Sequence, residues 1–233
     1  MATTTVTADR EVEANSGTKT TWTAARDATA ANTFTEYSSA TDNDGAIIEL
    51  FSSGRGGGTY VVARTFLFFD VSGVGGTITA IDLKIYGVTE NTVDVMVANS
   101  TAFGGSGDSA FVESDFDNWS PDSPTAYMAS SPAWSINTYN TLTLNATAVS
   151  DANTNGYLNV VVLGNDYDYV DTEPLSDIDR QGGVRFKNGT YPIELAITYT
   201  PTGWDDDVNG VVNASIGKVA GIAEASIGSV NGT

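Results

Sequence analysis

The chain is predicted to be all-β: a jelly-roll-type β-sandwich followed by a short β-repeat tail. Three observations predict this. First, of 233 residues 31 are Thr and 24 are Gly, and long Leu- and Ala-rich helical runs are missing. Thr, Val, Ile and aromatic residues suit a pleated, half-buried surface, while Gly, Asn and Asp suit tight turns. Second, many short segments alternate apolar and polar residues at a period of two, with turn signals between them. Third, an 11-residue pattern repeats at the C-terminal end.

In chain order, residues 3–8 and 11–14 read as a first strand pair. Residues 22–39 are polar and irregular, and the run Asp42, Asn43, Asp44, Gly45 signals a turn before an apolar strand at 46–51. Residues 52–58 (SSGRGGG) read as a flexible loop; they lack the Lys and the following helix of a phosphate loop. Residues 60–70 (YVVARTFLFFD) form the strongest strand, apolar on both faces as a central strand is. After a turn at 72–76, residues 77–87 place Ile81, Leu83 and Ile85 on one face and Asp82, Lys84 and Tyr86 on the other. Residues 92–98 alternate again through Val93, Val95 and Val97.

The stretch 104–135 is long and rich in Gly, Asp, Ser and Pro, the kind of segment on which binding surfaces sit. Strands are predicted at 139–145, 157–163 and 191–200, with a helical turn at 146–153, an acidic loop at 165–181 and a short strand at 183–187. Eight to ten strands with turns between them indicate a sandwich, and no amphipathic helix separates them as parallel α/β architecture requires.

The sandwich is expected to span residues 1–200, and residues 201–207 a linker that opens on Pro201 and contains three Asp at 205–207. The tail, 208–233, contains VNGVVNASIGK at 208–218, VAGIAEASIGS at 219–229 and the start of a third copy at 230–233. An 11-residue period also suits a right-handed coiled coil, but Gly210, Gly217, Gly221, Gly228 and Gly232 would each cost a helix about 1 kcal/mol. Short strands joined by tight turns fit better. One copy cannot bury its apolar face alone, so Val208, Val211, Ile216, Val219, Ile222, Ile227 and Val230 are the candidate assembly residues.

Charge and missing residues narrow the function. The chain holds 29 Asp+Glu against 10 Lys+Arg, a net charge of -19, and no His or Cys. Without His there is no imidazole general base and no His-dependent nucleophile, and without Cys and His the usual zinc, haem and iron–sulfur ligands are missing. The negative charge argues against nucleic acid as a partner. No segment is long and apolar enough to predict membrane insertion. The N-terminal residues carry no basic and apolar leader pattern, so the chain is expected to fold in the cytoplasm in which it is made, or to have had a leader removed. An enzyme is not expected: 29 acids offer many carboxylate pairs, and nothing singles one out for glycoside hydrolysis.

Residues 64–87 (RTFLFFDVSGVGGTITAIDLKIYG) resemble a bacterial and phage jelly-roll family, the DNRLRE-type or carbohydrate-module-like sandwich. Arg64, Phe69, Asp70, Ile78, Leu83 and Tyr86 carry the resemblance, together with the closing strand YPIELAITYT and the loop NDYDY before it. Ile81 departs from the family pattern, and the hexapeptide that names the family is missing. The tail repeats are similar to the C-termini of structural proteins of marine and environmental phages, as the early TTWTAARDATA is to phage structural proteins. The resemblance implies a non-enzymatic virion protein of a tail, fibre, baseplate or capsid surface, without cofactor. Its implied partners are other virion proteins, further copies of itself as a homo-oligomer such as a trimer, and a host surface glycan. A carbohydrate-binding module or adhesin, and a subunit of a cellular surface filament, are the alternative readings.

Candidate sites are few. Asp166, Asp168 and Asp171 are spaced as Ca²⁺ ligands could be, although the Gly and terminal Glu of the EF-hand loop are missing. Asp42, Asp44 and the 205–207 triplet are weaker candidates of the same kind. Trp119, Trp134 and Tyr127, with Trp22, are candidates for a sugar-stacking platform, against the plainer expectation of core anchors. Arg64, in an apolar strand, needs a buried acid such as Asp70 or Asp82. The six Asn-x-Ser/Thr triplets are expected by chance in a chain so rich in Thr and Ser.

Overall fold

A computed structural model describes residues 1–37, 43–54, 57–91, 93–129, 133–174, 179–186, 190–202, 218–219 and 222–223. Among them the strands are β1 (Ala2–Thr7), β2 (Arg10–Asn15), β3 (Thr33–Glu36), β4 (Asn43–Gly54), β5 (Gly57–Asp70), β6 (Gly76–Asn91), β7 (Val95–Asn99), β8 (Tyr139–Thr143), β9 (Tyr157–Gly164), β10 (Asp179–Phe186), β11 (Glu194–Pro201), β12 (Lys218–Val219) and β13 (Ile222–Ala223). Two helices, α1 (Trp22–Arg26) and α2 (Ala146–Asn155), lie between strands.

The strands build two antiparallel sheets, the all-β sandwich that the sequence predicts. One sheet runs β1-β11-β6-β8. In the other, β5 is central: β2 lies along one edge and carries β3 outside it, while the opposite edge is shared by β4 and β9. β4 leads on to β10, and β9 to β7. β6 joins the two sheets. Its first part pairs with β11 and β8, and its last residues, 87–91, pair with β10.

The strand chemistry explains this layout. Residues 62–69 of β5 are buried without interruption, as a strand covered on both faces must be. β6 and β11 bury alternate residues, Ile81, Leu83 and Ile85 on one and Leu195 and Ile197 on the other, and turn the rest outward. These side chains join one continuous core, each contributing about 1.5–3 kcal/mol of burial.

Several local expectations are corrected. The first two strands do not pair with each other; the chain crosses at Asp9, so β1 joins β11 in one sheet and β2 joins β5 in the other. The Gly-rich stretch is the end of a hairpin, with Ser53 opposite Gly58 and Gly54 opposite Gly57. The irregular segment 22–39 contains α1, capped by Thr21 Oγ1 on the Ala24 N–H at 3.2 Å, and the edge strand β3. The predicted helical turn is a ten-residue helix, begun by the Asn145 side chain on the Thr147 and Ala148 N–H groups and ended by left-handed Gly156 (φ 75°).

Candidate functional site

Arg64 sits in mid-β5 with no exposed surface. Its partner is Asp168, not Asp70 or Asp82. Nε and Nη2 of Arg64 each donate to one carboxylate oxygen of Asp168, both at 2.8 Å. Nη2 also donates to the Arg26 carbonyl at 2.6 Å, and Nη1 to the Phe116 carbonyl at 3.1 Å. A buried ion pair holds only when its remaining donors are satisfied, and these carbonyls satisfy them. Asp168 is brought there by a single π-helical turn, Asn165–Tyr169, that follows β9.

Arg26, at the end of α1, closes the same cluster. Its Nε donates to the Asp168 carbonyl at 2.9 Å, Nη1 to Asp27 Oδ1 at 2.7 Å and Nη2 to the Pro121 carbonyl at 2.8 Å. The guanidinium of Arg64 lies 4.7 Å from the Trp119 ring centre and that of Arg26 lies 5.6 Å from it. These cation–π contacts fasten the long segment between β7 and β8 to β5.

Three acidic candidates therefore do not converge on a cation. Both Asp168 oxygens are bound to Arg64, and the exposed carboxylate of Asp171 lies 3.4 Å from Arg26 Nε. Asp166 lies in the same turn as Asp168. Among the described residues no group of three or more carboxylates could hold a metal ion. Asp42 and the triplet at 205–207 lie outside the described residues, and Asp44 is described only as part of β4.

The stacking platform is also corrected. Trp119, Trp134 and Tyr127 are 2%, 5% and 1% exposed, and Trp22 is buried with them, so none of these rings can offer a face to a sugar. Their burial is the anchoring expected of large aromatics: the Trp134 indole N–H donates to the Thr89 carbonyl at 3.2 Å, and Trp22 packs edge-on against Tyr60.

Tyr127 leads to a different place. Its hydroxyl accepts from Asn99 Nδ2 and donates to Asp151 Oδ2 at 2.6 Å. Burial, and then the bond to Asp151, push the phenol well above its ordinary value, so it stays a donor. These three residues line a pocket of about 160 Å³ with Ser100, Thr101, Gly105, Asn155, Tyr157, Leu158 and Asn159. The pocket lies where β7 ends, β9 begins and α2 passes. Of the residues that line it, the sequence points to Tyr127, but as a stacking ring. The legible signal was Asn159, a polar residue in the apolar run YLNVVVL.

No protein-family model matches the chain. No curated protein matches it either.

The tail is described at four residues. Lys218 pairs with Ala223 and Val219 with Ile222, so β12 and β13 form a hairpin with two residues between them. Val219 and Ile222 thus occupy paired strand positions, while Val208, Val211, Ile216, Ile227 and Val230 lie outside the described residues. No helix among the described residues is long and apolar enough to cross a membrane.

Proposed function

We propose that the chain is a non-enzymatic structural protein of a bacteriophage virion, a component of a tail, fibre, baseplate or capsid surface that acts in assembly and in surface display or attachment. The observation that carries the reading is the union of a sandwich with its own continuous core and a repeat tail whose second copy begins as a β-hairpin. Among the described residues the core is one continuous cluster between residues 8 and 197. The four described tail residues pair as two two-residue strands, a pairing too short to be stable alone, and the repeats call for a surface to pack on. Further copies of the chain and other virion proteins supply that surface, and the location is the virion.

The similarity of residues 64–87 to a bacterial and phage jelly-roll family, and of the repeats to the C-termini of phage structural proteins, supports the same reading. Two of the candidate site residues, Asp168 and Trp119, are taken up by contacts with Arg64, which suits a protein whose task is packing and multivalent display. A carbohydrate-binding module or adhesin is the second reading, and the polar pocket beside Asp151 is the observation that favours it.

Electron microscopy of purified phage particles labelled with an antibody against this chain tests the proposal. The label is expected at a fixed, repeated position on the particle. Label confined to filaments on the cell surface, with bare particles, would overturn it.

A further inference from the structure

The geometry points to the pocket between β7, β9 and α2 as a binding site for a single neutral sugar residue. This deepens the attachment side of the proposed function and rests on it, although the site is argued from its own chemistry.

The pocket is held open by bonds that a ligand need not form. The Asn159 side chain donates to the carbonyls of Ala102 at 2.6 Å and Gly105 at 3.3 Å. Ser100 Oγ donates to the Asn118 carbonyl at 3.0 Å and accepts from the Ala102 N–H at 3.0 Å. The turn so fixed contains three left-handed residues in a row, Phe103, Gly104 and Gly105, with φ of 57°, 71° and 86°. On the opposite wall the buried Tyr127 hydroxyl fixes Asp151 through Oδ2 and Asn99 through Nδ2. Orienting the groups in advance lowers the entropy lost when a ligand binds.

The groups left over define the ligand. With Oδ2 held by Tyr127, Asp151 Oδ1 remains an acceptor, and a carboxylate oxygen can take hydroxyl protons. Asn155, exposed at the end of α2, offers an amide that both donates and accepts, and Thr101 adds a hydroxyl. Tyr157, stacked on Phe68 with ring centres 5.5 Å apart, is an aromatic residue among those that line the site. The Oδ1 of Asn159, buried in the wall, has no hydrogen-bond partner, a cost that a built site carries more readily than an inert one.

Other ligand classes fit less well. Among the described residues no Lys or Arg lines the pocket, so a phosphate or carboxylate would meet Asp151 uncompensated. A divalent cation needs several hard oxygens, and one carboxylate among amide N–H donors does not supply them. The volume, about 160 Å³, equals about five waters and is below the 300 Å³ at which drug-sized pockets begin. A single sugar ring, terminal on a glycan, is the neutral polyhydroxyl ligand of that size. Affinity at one such site is weak, in the millimolar range, and becomes useful through many copies on one particle.

The test is ¹⁵N NMR on the full chain, titrated separately with D-glucose, D-galactose, D-mannose, L-rhamnose and N-acetyl-D-glucosamine to about 50 mM, with calcium chloride and sodium sulfate in parallel arms. At least one sugar is expected to move the amides of residues 99–105 and 151–159 saturably. Asn155→Ala, at an exposed helix end, is expected to weaken that binding roughly tenfold with the rest of the spectrum unchanged. Asp151→Asn, which keeps the shape of the side chain, is expected to weaken it as well. No shift with any of the five sugars overturns the proposal, as do shifts that Asn155→Ala leaves unaltered. Shifts in these amides with calcium or sulfate alone also overturn it. None of these outcomes changes where an antibody label falls on a particle, so failure here is distinct from failure of the virion reading.

Discussion

Replacing Asp168 by Asn is expected to cost about 3–5 kcal/mol of folding stability, read as a lower urea midpoint at an unchanged slope. The positively charged guanidinium of Arg64 has no exposed surface through which to reach water. Neutralising its partner therefore leaves a charge buried among carbonyls and rings. The same substitution loosens the turn that carries the Asp168 carbonyl to Arg26, and with it the packing of Trp119. Asp82→Asn serves as the control, because the Asp82 carboxylate accepts from the Thr143 hydroxyl at the surface, and its cost is expected below about 1 kcal/mol. Arg64→Met combined with Asp168→Leu should recover much of the loss, since apolar side chains of similar volume often replace a buried pair without penalty. An Asp168→Asn protein within about 0.5 kcal/mol of the parent would show that the pair does not hold this region together.

Gly87→Ala is expected to be about as damaging, for a steric reason. A Cβ at this position would lie 2.1 Å from the Ser135 carbonyl oxygen and 2.7 Å from Asn140 Nδ2. Neither can move freely, because Gly87 itself donates to the Thr138 carbonyl and accepts from the Asn137 N–H. Gly87 is also where β6 leaves β8 and β11 and takes Val184 of β10 as its partner. Crowding there separates the two sheets at their junction. A loss of about 3 kcal/mol lowers the melting temperature by about 6–12 °C in a chain of this size. Gly73→Ala, where a Cβ meets nothing within 4 Å, should leave the melting temperature within about 2 °C of the parent. Equal effects from the two substitutions would contradict the steric account.

These two positions also show what could and could not be read from the sequence. That residues 60–70 and 77–87 are strands follows from a continuous apolar run in the first and from alternation in the second, and the structure agrees. That Arg64 needs an acid follows from its place in an apolar strand, but the choice of Asp168 over the nearer Asp70 and Asp82 is set by tertiary contact. The two residues are 104 positions apart, and only the turn after β9 brings them together. The same limit governs the aromatic residues. Trp119, Trp134 and Tyr127 occupy a long polar stretch, which suggests exposure, yet the stretch folds back on the sheet and buries them. The first two strands show the limit at its shortest range: the two residues Ala8 and Asp9 suffice to send them into different sheets. The polar pocket was not legible as a site because Asn99, Asp151 and Asn155 follow no spacing rule. They meet only because a helix and two strand ends do.

The claim that the sandwich folds by itself while the tail assembles it is tested most directly by size-exclusion chromatography with light scattering. The comparison is between the full chain and a form ending at residue 202. The full chain is expected to run as a defined closed oligomer and the shortened chain as a folded monomer with an unchanged circular dichroism spectrum. A shortened chain that unfolds, or one that keeps the same oligomer, would contradict the account.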